Sequence, residues 1–271
     1  MTKNDTKAIQ AYDYGQNAGV GFENTTNADF SISFLNLLQA LSPEVQESGE
    51  KRIEGAKAGM FVDSATQQLV DGKKGIALVP CDTQHVYVEW VPRDNGGGFV
   101  GVHELGSDTV KKALGENKAA FGKLKLPNGN DLVETFYLFC LTLENEKSVT
   151  PSGYTVLGFT STKIKKYRKI MNQLRSFSSK TPIFAHRLHL SSTPDKNKKG
   201  QPFFNVELRP LFGDVPSSLI PPELDGALHP LLAAGKSLME SVRGGQAKVD
   251  RTNGEGQGAP VEEEADEVFG R

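Results

Sequence analysis

The residue types able to ligate a metal, Cys81, His85, His103 and Cys140, fall at spacings that match no zinc ribbon or finger. Cys140 lies inside the apolar run Phe136-Tyr137-Leu138-Phe139-Cys140-Leu141, the setting of a core thiol. No Gly-x-x-x-x-Gly-Lys-Ser/Thr segment is present to cradle a phosphate, and Gly96-Gly97-Gly98 sits between two strand-like runs, where it reads as a hairpin turn. His186 and His189 have no Ser or Cys nucleophile in a recognisable elbow beside them, and no paired carboxylates followed by a lysine mark a nuclease. The residues argue for binding rather than catalysis: no catalytic residue, no metal and no cofactor is expected.

Charge supplies the binding chemistry. Between Thr160 and Arg209 stand twelve basic residues against two acidic ones, a net of +10, whereas Glu255 to Arg271 holds six acids against one arginine, a net of −5. The formal charge of −2 for the whole chain hides this division. A block of such density repels itself unless a polyanion or the tail offsets it. Single-stranded nucleic acid is held by cations along its phosphates and by aromatic faces against its bases. The expected phosphate contacts are Arg93, Lys163, Lys165, Lys166, Lys169, Arg187, Lys196, Lys198 and Lys199. The expected stacking rings are Tyr87, Trp90, Tyr154 and Phe203; Tyr87 is read as opposite a Val86/Val88/Trp90 face, and one of Phe203 and Phe204 must point away from the core. A duplex reader is disfavoured, because neither a helix-turn-helix pair nor a zinc finger accompanies the basic helix.

These groups must be positioned by strands. With 28 glycines and 14 prolines in 271 residues the chain is neither a coiled coil nor a helical bundle. Alternation predicts strands at Ile76–Pro80, His85–Val91, Phe99–His103, Leu132–Glu144, Gly153–Phe159, Phe184–Ser192 and Phe203–Leu208. Helical spacing predicts a short helix over Phe34–Leu41, another within Ser107–Ala120, a basic one over Thr160–Phe177 and a last one over Leu228–Val242. In the basic helix Thr162 is the expected cap, and Ile164, Tyr167, Met171 and Leu174 the core face. The expected fold is mainly β with α insertions, an OB-like Greek-key barrel carrying a disordered acidic C-terminal tail. Its divisions are an N-terminal arm and insertion of uncertain structure (1–75), the nucleic-acid-binding domain (76–245) and the tail (246–271).

Three stretches resemble tailed-bacteriophage single-stranded DNA-binding proteins. They are Val86-Tyr87-Val88-Glu89-Trp90-Val91-Pro92 with its glycine turn, Phe159-Thr160-Ser161-Thr162-Lys163-Ile164-Lys165, and the acidic tail closing on an aromatic. The resemblance implies a barrel that coats single-stranded DNA in phage replication, recombination or repair. It also implies a tail, through Glu262, Glu263, Glu264, Asp266, Glu267 and Phe269, that docks replication or recombination proteins. Phe269 is followed by Gly270-Arg271, a departure from the usual terminal aromatic. The same tail is a tethered competitor for the basic surface. The alternatives are a virion or scaffold protein, a strand-annealing recombinase and, as the enzyme, a divalent-dependent nuclease. The absence of an apolar leader or span, with two cysteines for the whole chain, predicts reduced thiols and a cytoplasmic protein (host cytoplasm if phage-encoded) that engages no membrane.

Overall fold

A computed structural model describes residues 31–47, 49, 51–116, 123–197 and 200–251, with backbone alone at 93, 116 and 123. In chain order the strands begin with β1 (Ser31–Ile32), β2 (Leu35–Leu37), β3 (Phe61–Asp63), β4 (Leu69–Val70), β5 (Ile76–Trp90) and β6 (Phe99–Glu104). Helix α1 (Asp108–Glu116) precedes β7 (Lys123–Lys125), β8 (Asp131–Leu143) and β9 (Gly153–Phe159). Helix α2 (Lys163–Phe177) leads into β10 (Leu188–Lys196), β11 (Pro202–Pro210), β12 (Glu223–Leu224) and β13 (Ala227–Leu228). Helix α3 (Pro230–Arg243) and β14 (Lys248–Val249) follow.

The fold turns on β5 and β8, which pair antiparallel along almost their whole length. Each is long enough to serve two outer partners. The first half of β5 takes β10 and then β11, and its second half takes β6. β8 takes β9 along one half and β7 along the other. The two runs Ile76–Pro80 and His85–Val91 are thus one strand, with the register slipping between Pro80 and Asp82 so that Cys81 is the extra residue of a bulge.

The chain is mainly β, but among the described residues the seven-stranded sheet is open and the expected barrel is not formed. The physical reason is burial on both faces. Val79, Val88, Tyr137 and Phe139 pack under α3 in one core; Leu78, Leu138, Cys140 and Phe159 pack under α2 in another. A strand covered on both sides reads as continuous hydrophobicity, which is the pattern of Phe136 to Leu143. A third, smaller core joins Tyr87 and Leu132 to Val110 and Ala113 of α1.

The expected helix over Phe34–Leu41 is instead strand β2. Phe34 enters the core under α3 and Leu35 the core under α2, so consecutive residues serve opposite faces, as only extended chain allows. Residues 33–39 cross the opening between β9 and β11. Val156 N–H donates to the Ser33 carbonyl, and at the other end the Gln39 amide meets both backbone groups of Phe204. The segment before residue 76 is therefore part of the core, and Phe34 and Phe61 are among its most deeply buried side chains. At the far end β14 pairs parallel with β1, within the stretch read as disordered tail; residues 252–271 lie outside the described residues.

Candidate nucleic-acid interface

Helix α2 is built as its sequence predicts. Ile164, Tyr167, Ile170 and Leu174 bury one stripe against the sheet, with Met171 half-buried beside them. The Thr162 hydroxyl makes no capping bond, contrary to expectation; Thr162 has helical dihedrals and is itself buried. Six of the fifteen α2 residues are basic and none is acidic. Lys165, Arg168 and Lys169 are exposed, and Lys163 and Lys166 half-buried. Two of these cations lean on β11: Lys166 Nζ lies 3.2 Å and Lys169 Nζ 4.0 Å from the Glu207 carboxylate. Lys163 borders a shallow pocket floored by Leu37, Phe61, Leu157 and Val206.

Beyond β11 the hairpin carries the lysine loop. Asp195, its one acid, is engaged inside the hairpin, accepting from Lys196 N–H at 2.9 Å and from the Asn205 amide at 3.1 Å. Lys196 is exposed; Lys198 and Lys199 lie outside the described residues. Phe203 and Phe204 divide as adjacent strand residues must. Phe204 covers Gly59, where an added Cβ would lie 2.6 Å from the ring, and Phe203 faces the other way, half-buried.

Of the remaining predicted residues, those described do not join this surface. Trp90 is 6% exposed, edge-on to Phe99 in the core under α3, and Tyr87 is 6% exposed beneath α1. Neither ring is open to a base. The reason is the second covered face: α1 lies on the side of β5 that alternation assigns to solvent. Burial, then the Glu134 carboxylate, pushes the Tyr87 phenol above its ordinary range. Tyr154 is exposed at 54% but shares its face with Val156, the α3 side of the sheet. Arg187 also turns toward the α3 side, donating to the Leu219 carbonyl at 3.4 Å and lying over Phe212. The side chain of Arg93 and the tail residues Glu262, Glu263, Glu264, Asp266, Glu267 and Phe269 lie outside the described atoms.

Sequence reading missed an ionic chain beside α2. Glu134 of β8 receives Arg168 at 3.3 Å and meets His85 Nε2 at 2.9 Å, while the Arg168 guanidinium sits 5.3 Å from the Phe136 ring. The signal was available in the cross-strand period, since Glu134 stands opposite Tyr87 and Phe136 opposite His85. A second polar cluster surrounds Glu89, which accepts from Asn128 and Asn130 and pairs with His103 Nε2 at 2.8 Å. Burial alone would raise this carboxyl, yet the bonds from Asn130, Asn128 and His103 hold it below its usual value. Cys81 and Cys140 sit in the two different cores, and His85 and His103 serve different carboxylates, so the four do not converge.

His186 and His189, which the sequence places in the basic strand, are buried. The first pairs with the Ser218 hydroxyl and the second donates from Nε2 to the Lys74 carbonyl. Among the described residues no helix is long and apolar enough to cross a membrane. The sequence matches, over residues 2–248, the family described as Pam3 phage gp34-like protein. Neither the curated proteins nor the solved structures gave a match.

Proposed function

Because the chain belongs to the Pam3 phage gp34-like protein family, and so to a family of phage proteins, we propose that it is a non-catalytic single-stranded DNA-binding protein of phage replication or recombination. The observation that carries this reading is α2, which holds six cations and no acid, with a lysine-bearing hairpin on the adjoining β11. Phosphates track Lys163, Lys165, Lys166, Lys169 and Lys196, and the sequence adds Lys198 and Lys199 to the set. Phe203, half-buried beside the hairpin on the face opposite Val206 and Leu208, is the one ring left as a candidate to meet a base at that edge. Tyr87 and Trp90 have no part in stacking, and Arg187 and Tyr154 serve the opposite side. The acidic tail competes for the basic surface and docks replication or recombination proteins.

The test is anisotropy of labelled oligo-dT titrated at two salt concentrations, with duplex DNA and single-stranded RNA as competitors. Trp90 is no reporter of stacking, being core. The expected log–log salt slope is about −0.7 per phosphate contacted, and replacing Lys165 and Lys169 together by alanine makes it shallower by about 1.4. Absence of binding by protein lacking residues 255–271 at low salt overturns the reading. Equal affinity for duplex, together with presence in purified virions, favours the structural alternative. Accelerated pairing of complementary strands identifies an annealing recombinase, and cleavage of the oligonucleotide with magnesium or manganese identifies a nuclease.

A further inference from the structure

The main sheet has four outer strands, and three of them are blocked. β11 begins and ends on proline, its Phe204 backbone is occupied by the Gln39 amide, and its Val206 N–H donates to the Asn205 side chain. β9 is covered by Ser33 and Phe34. β7 is three residues long and ends on Lys125, which pairs with Asp131. Proline, short length, lysine and covering chain are among the ways proteins protect an edge.

Among the described residues β6 has none of these four. It pairs only with β5 among the described residues, and its six residues contain no proline and no lysine. The outward backbone groups of such a strand form a template for another strand. Val100 and Val102 are 47% and 36% exposed on one face, and Leu105 adds 43% just beyond the strand. The register to β5 slips once, between Glu89↔Gly101 and Trp90↔Phe99, so Val100 is the extra residue of a bulge and Gly101–Glu104 pair continuously.

We propose that β6 is a self-association edge, at which a second copy of this chain adds its own β6 antiparallel about a two-fold axis at Gly101. The occupant is argued from the strand itself. In that register Val100 of one copy stands opposite Val102 of the other, Gly101 opposite Gly101 and Phe99 opposite His103. Glu104 meets Gly98, so no like charges are opposed. An isologous contact of this kind closes on itself as a dimer. A six-residue strand with a few flanking apolar side chains buries little area, which makes the dimer concentration-dependent.

The experiment is sedimentation equilibrium of the full chain over a concentration series, with two variants. The wild type is expected to follow a monomer–dimer equilibrium. Val102→Lys, which places a charge on the edge at a partly exposed position, is expected to weaken it about tenfold or more while leaving the near-ultraviolet circular dichroism unchanged. Gly101→Cys tests the axis without relying on a loss. A Cβ there meets nothing within 4 Å. Opposed residues of an antiparallel pair lie about 4.5–5.5 Å apart at Cα, within disulfide reach. Mild oxidation is expected to give a covalent dimer, and the same treatment of Ser179→Cys, exposed after α2, is expected to give none. A wild type monomeric throughout, a Val102→Lys variant as dimeric as the wild type, or equal cross-linking of the two cysteine variants overturns the proposal. All of these outcomes are read without DNA, so they stand or fall separately from nucleic-acid binding.

Discussion

At the scale of single residues, buried titratable groups set how the protein responds to solvent. Desolvation pushes the Cys81 thiol up to about 12, and Cys140, fully buried, is raised as well. A thiol that stays protonated and covered does not attack disulfides. Ellman's reagent should therefore find no reactive thiol in the native protein and two after denaturation. His229 makes a different prediction. Its Nδ1 accepts from Leu231 N–H at the start of α3, which requires the neutral ring, and burial, then Arg187, lowers its pKa. His186 is lowered by burial too. For a base whose native pKa is depressed, the unfolded chain takes up protons first, so stability falls as pH drops below about 6.5. Protonated His229 would also set a positive charge at the positive end of the helix dipole. Melting temperature should fall between pH 7 and 5, and His229→Asn, which keeps a side chain able to cap, should make that fall shallower. Glu89, held below its usual value, adds a second loss of the same sign below about pH 4.3.

Elements hold together here through close backbone approaches as much as through side chains. The β3–β4 segment docks on the β10–β11 hairpin at Gly59, Gly72 and Ser192. Ser192 N–H donates to the Gly72 carbonyl, and its hydroxyl donates to Gly59. A Cβ at Gly72 would lie 1.7 Å from the Gly59 carbonyl oxygen, backbone that cannot swing aside. Gly72→Ala is expected to cost about 1–3 kcal/mol by urea denaturation, whereas Gly106→Ala, with open space around it, should cost little. These glycines show why the segment before residue 76 stayed uncertain from sequence: Gly59 and Gly72 mark contacts with a strand more than a hundred residues away. The same limit explains β2. Local period made Phe34–Leu41 a helix, and only the position of Phe34 and Leu35 between two cores makes it a strand. Elements whose signal is local were legible, among them α2, α3, β9 and the glycine turn before β6; the β10–β11 hairpin was legible as a hairpin, but its first strand runs over Leu188–Lys196 where Phe184–Ser192 was expected, Ile183–Ala185 being a short 3-10 turn. Of the site, the basic stripe of α2 was legible for the same reason. The burial of Tyr87 and Trp90 was not, since their strand alternates as if half-exposed and a helix from elsewhere closes its second face.

Across the whole molecule the division of charge becomes a matter of where the ends leave the body. β1 and β14 pair side by side, Ser31 with Lys248 and Ile32 with Val249, so the described residues begin and end next to one another. By sequence, residues 31–251 carry a net of +5, the first thirty −2 and the last twenty −5. Both acidic ends are thus tethered to a cationic body, and a tethered charge acts at a high local concentration set by its length. If the tail competes for the surface on α2, its removal does two things. It frees the lysines from a competitor, and it changes the formal charge from −2 to +3 when residues 255–271 are cut. The truncated chain should bind oligo-dT more tightly at low salt, and the difference should shrink as salt screens both the tail and the phosphates. A neutralised tail, with Glu262, Glu263, Glu264, Asp266 and Glu267 changed to the corresponding amides, should reproduce the truncation. That separates charge from length: if the amide tail binds like the wild type while the truncation binds more tightly, the tail acts by bulk and not by electrostatic competition.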